Sequence, residues 1–286
     1  MSLARLVISC PDRPRIVAAV SATISDHGGN IIQSDQYSTD PQGGSFFMRV
    51  EFAVGEAEAG PDARRRFESS FAPVAERFDM SWRLTYAAER KRVVVMSSQA
   101  DHCLMDLLWR WRRGELECDI PLVISNHEDM RADVAAFGVR YECRPVTPAS
   151  KRAAEAEVLE LLREGCDLVV LARYMQILSP DFLAAAGVPI INIHHSFLPA
   201  FAGAEPYAQA RQRGVKLIGA TAHYVTEELD AGPIIEQDTA RVSHRDSAER
   251  LAHIGRDIER VVLARAVRWH LEDRVIINRN ATVVFA

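Results

Sequence analysis

The chain contains 286 residues, of which 48% are hydrophobic and 26% charged, and its formal net charge is -5. This composition predicts a folded globular protein, and the length favours two domains over one. The acidic balance argues against a protein that must neutralise many nucleic-acid phosphates. Because no apolar run approaches the roughly 20 residues that cross a bilayer, we expect a cytoplasmic protein with a small-molecule substrate.

The cysteines give no sign of a disulfide framework or of a zinc site. They are odd in number, scattered along the chain, and never form a C-x-x-C pair. A lone cysteine in a helix or strand pattern is most often a small buried apolar residue, so we expect no bound metal. The cysteines are Cys10, Cys103, Cys118, Cys143 and Cys166.

The first part of the chain predicts a series of strands and helices. LARLVISC reads as a strand, and it precedes a helix in which Ile16, Val20 and Ile24 share one face. NIIQSDQYS and SFFMRVEFAV, joined by DPQGG, predict a hairpin with one buried face. Residues 61 to 78 return to helical spacing, and MSWRLTYA predicts a last strand before the charged break AERKR.

This order of elements is that of a ferredoxin-like βαββαβ unit. LVISCPDRPRIVAAVSATISDHGGNI resembles the opening of an ACT domain. The resemblance implies that residues 1 to 87 form a regulatory or assembly module that pairs with copies of itself, as a dimer or tetramer, and binds glycine or methionine. Arg15 stands where ACT sequences commonly carry Gly, so the resemblance supports the fold more strongly than an effector site.

After Lys91 strands and helices alternate, which predicts an α/β domain over residues 92 to 286 with a doubly wound, mostly parallel sheet. Apolar runs such as CDLVVLARY and VPIINIHHS are typical of strands covered by helices on both faces. Ligands of such sheets bind beyond the carboxyl ends of the strands, so residues that follow strands are the candidates for function. Helices are predicted at 150 to 164, 204 to 213 and 246 to 272.

Polar residues follow two of the predicted strands. INIHHSFLP places Asn192, His194 and His195 at the end of a buried strand, where polar groups cost free energy unless they are paired or used. GATAHYVTEELDAGPIIEQD brings Asp230 onto a loop after another strand. A hydrogen-bonded core cluster is the alternative to an active site, and the presence of Asp230 favours the active site.

INIHHSFLPAFAGA and GATAHYVTEELDAGPIIEQD together resemble the signature of the folate-dependent formyltransferase family. The resemblance implies that Asn192, His194 and Asp230 are catalytic. Attack on a formamide creates an oxyanion, which Asn192 and a protonated His194 would hold. Asp230 would favour that imidazolium and relay protons through an ordered water.

The segment ARYMQILSPDFL matches the pterin-side loop of the family. His195 stands where transferase relatives often carry Pro, so it either positions the attacking water or supports His194. His223 is a further candidate for substrate binding, whereas His102 and His270 have no partner by spacing and are expected to be structural or on the surface. The loop residues implied to line the folate slot are Met175, Gln176, Ile177 and Leu178.

Water, glycinamide ribonucleotide and initiator tRNA compete as acceptors of the formyl group. The turn MSSQADHCLMDLL lacks the glycines of a phosphate-binding turn, and Asp101 adds a negative charge there. The ending RVIINRNATVVFA leaves no room for a basic tRNA-binding domain. We therefore expect hydrolysis of 10-formyltetrahydrofolate to formate and tetrahydrofolate, without a separate cofactor.

The order of the two modules supports this expectation, because an ACT-like module ahead of a formyltransferase-like domain is the arrangement of enzymes that hydrolyse formyltetrahydrofolate. Transfer to an amine and a non-catalytic folate or amino-acid sensor stay open as alternatives. Glu205 stands where this subgroup tends to carry a basic residue, which implies an altered hold on the acidic tail of folate.

Overall fold

The computed structural model describes residues 2 to 55, 60 to 199 and 206 to 286, without the side chain of Pro206. Among these residues, no helix combines the length and apolar character that crossing a membrane demands. The chain divides into two compact units. Unit 1 comprises Met1–Arg90, Glu272–Asn278 and Val283–Ala286, and unit 2 comprises Lys91–Leu271 and Arg279–Thr282.

Unit 1 contains the βαββαβ order that the sequence predicts. Its strands form an antiparallel sheet in the order β2-β3-β1-β4, in which β2 and β4 are the edges. This is the ferredoxin-like arrangement of an ACT module. The elements are β1 (Ser2–Pro11), α1 (Ile16–Asp26), β2 (Asn30–Ser38), β3 (Ser45–Val54), α2 (Pro61–Phe78) and β4 (Ser81–Tyr86).

One face of this sheet forms the core of unit 1 with the two helices. Alternate side chains of a strand share a face, so Leu6, Ile8 and Met48 lie together and are fully buried. Ile24 of α1 and Phe71 of α2 are buried against them. The apolar spacing read from the sequence therefore corresponds to one packed face.

The other face of the sheet packs against the C-terminal strands. Val7 and Phe47 of the sheet contact Ile276 and Phe285 in a small apolar cluster. Arg49 is fully buried there and donates from Nε to the backbone oxygen of Glu272 at 3.1 Å. The sequence places this terminal segment in the second domain, whereas its contacts assign Glu272–Asn278 and Val283–Ala286 to unit 1 and Arg279–Thr282 to unit 2. The strands are β12 (Val275–Asn278) and β13 (Ala281–Val284).

Unit 2 is an α/β unit on a seven-stranded sheet within the described residues, in the order β11-β10-β9-β8-β5-β6-β7. The strands from β9 to β7 are parallel, which confirms the predicted fold class. The elements are β5 (Lys91–Ser97), α3 (His102–Arg112), β6 (Cys118–Ser125), α4 (Arg131–Ala135), β7 (Arg140–Cys143), α5 (Lys151–Leu162), β8 (Leu168–Ala172), α6 (Pro180–Ala186), β9 (Ile190–His194), α7 (Pro206–Arg213), β10 (Leu217–Tyr224), β11 (Ile234–Arg241) and α8 (Ala248–Leu271).

The last two strands of this sheet run against the others. β10 pairs antiparallel with β9, and β11 pairs antiparallel with β10. The apolar runs of the sequence do not carry this direction, because a strand buried on both faces has the same composition in either orientation. The reversal sets residues from the end of β10 beside the middle of β9.

Candidate active site

The strand β9 presents two polar side chains on one face. Asn192 and His194 are alternate residues of β9, so their side chains share a side of the sheet. The antiparallel register with β10 pairs His223 with Asn192 and Thr221 with His194. A β-bulge between Ala222 and His223 shifts the register with β11 at this point, a local change that commonly re-aims side chains.

The loop after β10 brings Asp230 back to this strand end. The loop closes on itself through a hydrogen bond from the Tyr224 amide to the Pro233 oxygen at 2.9 Å. A Cβ at Gly232 would lie 1.9 Å from the Tyr224 oxygen, so the close approach is open only to glycine. Asp230 itself adopts φ 55, a left-handed conformation that Asp tolerates better than most residues.

These residues form one interacting set. Oδ2 of Asp230 lies 3.3 Å from Nδ1 of His194, and Oδ1 lies 3.7 Å from Nε2 of His223. Nδ2 of Asn192 lies 3.2 Å from Nε2 of His223. The structure therefore brings together the three residues that the sequence predicts as catalytic, and it adds His223 as their common neighbour.

The hydrogen bonds determine the protonation of His223. Its Nδ1 lies 3.0 Å from the Tyr224 carbonyl oxygen, which only accepts, so Nδ1 carries the hydrogen. Burial lowers the pKa of His223, so the ring is neutral and Nε2 accepts from the Asn192 amide. His223 thereby orients the Asn192 side chain with its nitrogen toward the site.

Asp230 is held as a carboxylate. The contact with His194 lowers the pKa of Asp230, and this effect outweighs the burial that opposes it. His194 is 6% exposed, and its Nε2 has no hydrogen-bond partner in the described part of the chain. One nitrogen of His194 therefore faces Asp230, and the other is left for a substrate.

A pocket opens beside these groups. Its lining joins apolar side chains to a few convergent polar ones, which is the character of a small-molecule site. Of the loop residues that the sequence implies, Met175 is not among the lining residues and is 60% exposed. The lining residues are Leu171, Gln176, Ile177, Leu178, Asn192, His223, Val225, Thr226, Glu227, Leu229 and Asp230.

The loops that shape the cavity are tied to the sheet and its helices. Ser179 caps α6 by accepting from the Phe182 amide at 3.1 Å, and it donates to Glu155 at 2.6 Å. After β9, the Leu198 amide donates to Oγ1 of Thr221 at 3.0 Å. These hydrogen bonds fix the loops that hold the candidate catalytic side chains.

His195 lies apart from the cavity lining and in a different electrostatic setting. Its ring centroid is 5.1 Å from that of His194 and 6.3 Å from that of Tyr207. Burial, followed by the charges of Arg173 and His194, lowers the pKa of His195 to about 4. Adjacent histidines at the end of one strand thus differ in surroundings: His194 meets a carboxylate, and His195 is neutral beside a guanidinium.

A second polar group, here called the Glu259 cluster, consists of Glu259, His102, Arg173 and Tyr207. Tyr207 donates to Oε1 of Glu259 at 2.6 Å, and Nε2 of His102 lies 2.8 Å from Oε2. Nη1 of Arg173 is 3.6 Å from the same Oε2. Burial alone would raise the pKa of Glu259, but these partners lower it overall, so Glu259 is a buried carboxylate.

A metal site at this cluster is disfavoured by its charges. His102, Cys103 and Glu259 offer ligand atoms within 4.8 Å of one another. Burial raises the pKa of the Cys103 thiol well above its usual range, and the Arg173 guanidinium already faces the carboxylate. A cation there would meet a protonated thiol and a positive neighbour.

The sequence analysis missed the Glu259 cluster. His102 is not the unpartnered residue that its spacing suggests, because its partner is 157 positions away on α8. A signal for Glu259 exists in the pattern of α8, where it falls among the buried residues Leu251, Gly255 and Leu263. A charged residue in an apolar stripe indicates a buried partner. The prediction for Glu205 lies outside the described residues.

Comparison with known proteins assigns the two parts of the chain. Residues 91–267 match the family model "Formyl transferase", and residues 4–60 match the model "ACT domain". A formyltetrahydrofolate deformylase of Bacillus subtilis is 55% identical over 98% of this chain and 93% of its own length. The chain belongs to the formyltetrahydrofolate deformylase family. Its members are hydrolases, and the ACT module of this chain is the one that the sequence predicts.

Solved structures support the same assignment. A formyltetrahydrofolate deformylase from Pseudomonas syringae pv. tomato has a TM-score of 0.94 and 54% identity, covering 100% of this chain and 95% of that one. A glycinamide ribonucleotide transformylase from Symbiobacterium toebii has a TM-score of 0.65 and 31% identity, covering 71% of this chain and 98% of that one. The likeness to the deformylase therefore extends over both units.

Proposed function

We propose that this chain hydrolyses 10-formyltetrahydrofolate to formate and tetrahydrofolate, with Asn192, His194 and Asp230 as its catalytic residues. The observation that carries the proposal is the contact of 3.3 Å between His194 and Asp230, a residue that lines the cavity together with Asn192. A carboxylate, an imidazole and an amide at one strand end supply a proton relay and oxyanion donors together.

The proposed reaction balances as a simple hydrolysis. The oxygen of water adds to the formyl carbon, and the formyl oxygen takes up the electron pair of the carbonyl as an oxyanion. Asn192 Nδ2 and His194 Nε2 are the donors proposed for it. Asp230 relays a proton of the attacking water to the folate nitrogen as the bond between carbon and nitrogen breaks. The formic acid that is released then ionises to formate.

The turn between β5 and α3 supports water as the acceptor. Along residues 97 to 101 it holds no glycine, and Asp101 at its end is exposed. A phosphate would meet this carboxylate instead of a row of free backbone amides. Transfer to glycinamide ribonucleotide, the reaction named for the transformylase relative, is therefore the weaker alternative.

The proposed reaction needs no cofactor of its own, because it neither oxidises nor reduces the substrate. His194 and Asp230 supply acid-base groups, so a metal-bound hydroxide is not required. Activity should survive dialysis against a strong chelator, measured as formate released per active site. Loss on chelation with recovery on adding a single divalent metal would overturn this part.

The decisive assay incubates the purified full chain with 10-formyltetrahydrofolate and no amine. Formate and tetrahydrofolate should appear in equal amounts. The same incubation with glycinamide ribonucleotide should neither speed folate consumption nor yield a formylated product. Formyl transfer at a comparable rate, without free formate, would assign the chain to the transferases, and no turnover under any condition would favour a sensor.

For unit 1 we propose pairing with a second copy through the edge strand β2 and binding of a small amino acid, glycine or methionine. Ile32 and Tyr37 on β2 are 57% and 50% exposed, which gives this edge apolar groups to bury. The proposed ligand position is the turn before α1, where Arg15 adopts φ 77. Its exposed side chain stands at the place that a ligand carboxylate would approach.

Sedimentation of the full chain and of Ile32→Lys tests the pairing, and calorimetric titration with glycine and methionine tests the ligand. Wild type should sediment as a dimer or tetramer, and the variant should sediment as a smaller species. A dimer or tetramer that binds neither glycine nor methionine would limit unit 1 to assembly. A wild-type monomer that binds neither amino acid would refute both proposals.

A further inference from the structure

Arg173 has a backbone conformation that points to a function. It follows β8 directly and adopts φ 62, in the left-handed region that glycine enters freely and an arginine enters at a cost. Such strained residues persist where the surrounding structure holds them, and they concentrate at functional sites. The Arg173 side chain is 16% exposed, so this arginine is turned inward.

The side chain is held by charge while its donors stay unused. Oε1 of Glu259 accepts a hydrogen bond from the Tyr207 hydroxyl at 2.6 Å, and its Oε2 lies 2.8 Å from Nε2 of His102. Arg173 Nη1 lies at 3.6 Å from Glu259, which is an ion-pair distance and too long for a hydrogen bond. Within the described residues, buried Nε and Nη1 of Arg173 donate to no protein group. Glu259 therefore orients the guanidinium and leaves its N-H groups available.

A second unpartnered group lies next to Arg173. Ser97 ends β5 and pairs in register with Ala172, the residue before Arg173. Its side chain is fully buried, and its Oγ has no hydrogen-bond partner in the part of the chain that is described. A buried hydroxyl and a buried guanidinium without partners, at the carboxyl ends of the neighbouring parallel strands β5 and β8, indicate a ligand that accepts hydrogen bonds.

Arg173 lies level with the proposed catalytic residues at the strand ends. β8 and β9 are parallel neighbours with Leu171 paired to Asn192, so Arg173 and His194 leave the sheet at the same level. Arg173 does not line the cavity, but its charge acts on His195, the residue after His194. A small anion released from the formyl carbon would be attracted by the guanidinium, whereas a protonated amine would be repelled by it.

We propose that Arg173 and Ser97 form a binding subsite for a small carboxylate, and that Glu259 is the residue that positions Arg173. The identity of that carboxylate as formate, leaving with both oxygens and no proton, rests on the proposed hydrolysis. The subsite itself does not, since it follows from the unused donors. The subsite also favours water as the acceptor of the formyl group, because it would bind an anion, whereas a transferase must bind an amine.

Formate binding to the full chain without folate tests this subsite. Titration with ¹³C-formate, followed by its NMR line width, should give saturable binding to wild type. Arg173→Gln should weaken it by about tenfold to a hundredfold, the loss expected for a hydrogen bond to a charged group. Arg173→Lys and Ser97→Ala should lie between, and Glu259→Gln should weaken binding although Glu259 does not touch formate. Arg152→Gln, on the exposed face of α5, is the matched control and should bind as wild type.

Kinetics provide the second reading. Formate should inhibit folate turnover as a product, and its inhibition constant should rise in Arg173→Gln by the same factor as the dissociation constant, while KM for the folate stays near wild type. Wild type without saturable formate binding, or Arg173→Gln with unchanged binding, overturns the subsite. Should Arg173→Gln fail to fold by circular dichroism, Arg173→Lys and Ser97→Ala decide. If formate binding depends on Arg173 but the protein releases no formate from the folate, the subsite is supported and the proposed hydrolysis is refuted.

Discussion

Replacing Asp230 by Asn removes one negative charge from the active site and keeps the size of the side chain. The charge lies 3.3 Å from Nδ1 of His194. By Coulomb's law its attraction for a positive charge on that ring is about 1 kcal/mol in water-like surroundings and about 5 kcal/mol at an effective dielectric of about 20. Since about 1.4 kcal/mol corresponds to a tenfold change in rate, kcat should fall by about 10-fold to 5,000-fold.

The Asp230 side chain is 17% exposed and its pKa is already lowered by His194, so the upper half of this range is expected. Formate release from 10-formyltetrahydrofolate measures the loss, and circular dichroism verifies the fold. Asp129→Asn, at an exposed position, is the matched control and should keep full activity. Near-normal turnover in Asp230→Asn, or a loss explained by unfolding, would refute the charge-based role.

Three further predictions concern single positions. Gly232→Ala should lower kcat by about 10²-fold, because a Cβ placed 1.9 Å from the Tyr224 oxygen must displace the loop that carries Asp230. Gly60→Ala is the control and should leave kcat unchanged, because a Cβ at Gly60 meets no atom within 4 Å. The pKa of His195 in the folded protein, about 4, lies below its ordinary value of 6.5. The free energy of unfolding should therefore fall as pH drops from 6.5 towards 4, by up to about 3 kcal/mol. Urea titration of His195→Asn should show a smaller loss over the same pH range. Arg15→Gly should stabilise the protein by about 1 kcal/mol in the same urea assay, because φ 77 strains a residue with a Cβ; an unchanged midpoint would contradict this.

The fold was accessible from the sequence wherever one element alone determines the pattern. The helix over residues 61 to 78 and the buried strands of unit 2 follow from apolar spacing, and their observed bounds agree with it. The direction of β10 and the place of β12 and β13 were not accessible. Both depend on pairings between distant segments, and Val7 packs against Ile276 without any local sign of it.

The candidate site divides in the same way. Asn192, His194 and Asp230 were predicted because they lie at the end of a strand or on the loop after one, within two recognisable motifs. His223 gained a defined place only through the register of β9 with β10. Arg173 and Glu259 belong to no recognisable motif. Arg173 is distinguished by its left-handed backbone conformation, and Glu259 is distinguished as a carboxylate on the buried face of α8. The charged residue in the apolar stripe of α8 is visible in the sequence, whereas the backbone strain at Arg173 is a property of the folded chain alone.

The strand β9 explains how neighbouring histidines acquire different chemistry. His194 shares a side of the sheet with Asn192, and its Nδ1 lies 3.3 Å from the carboxylate of Asp230. His195, one residue later, lies near Arg173 and Tyr207, where burial and the guanidinium keep it neutral by lowering its pKa. The two ring centroids are 5.1 Å apart. The end of β9 therefore sets one ring beside a carboxylate and the next ring in the field of a guanidinium, although the two residues are identical in the sequence.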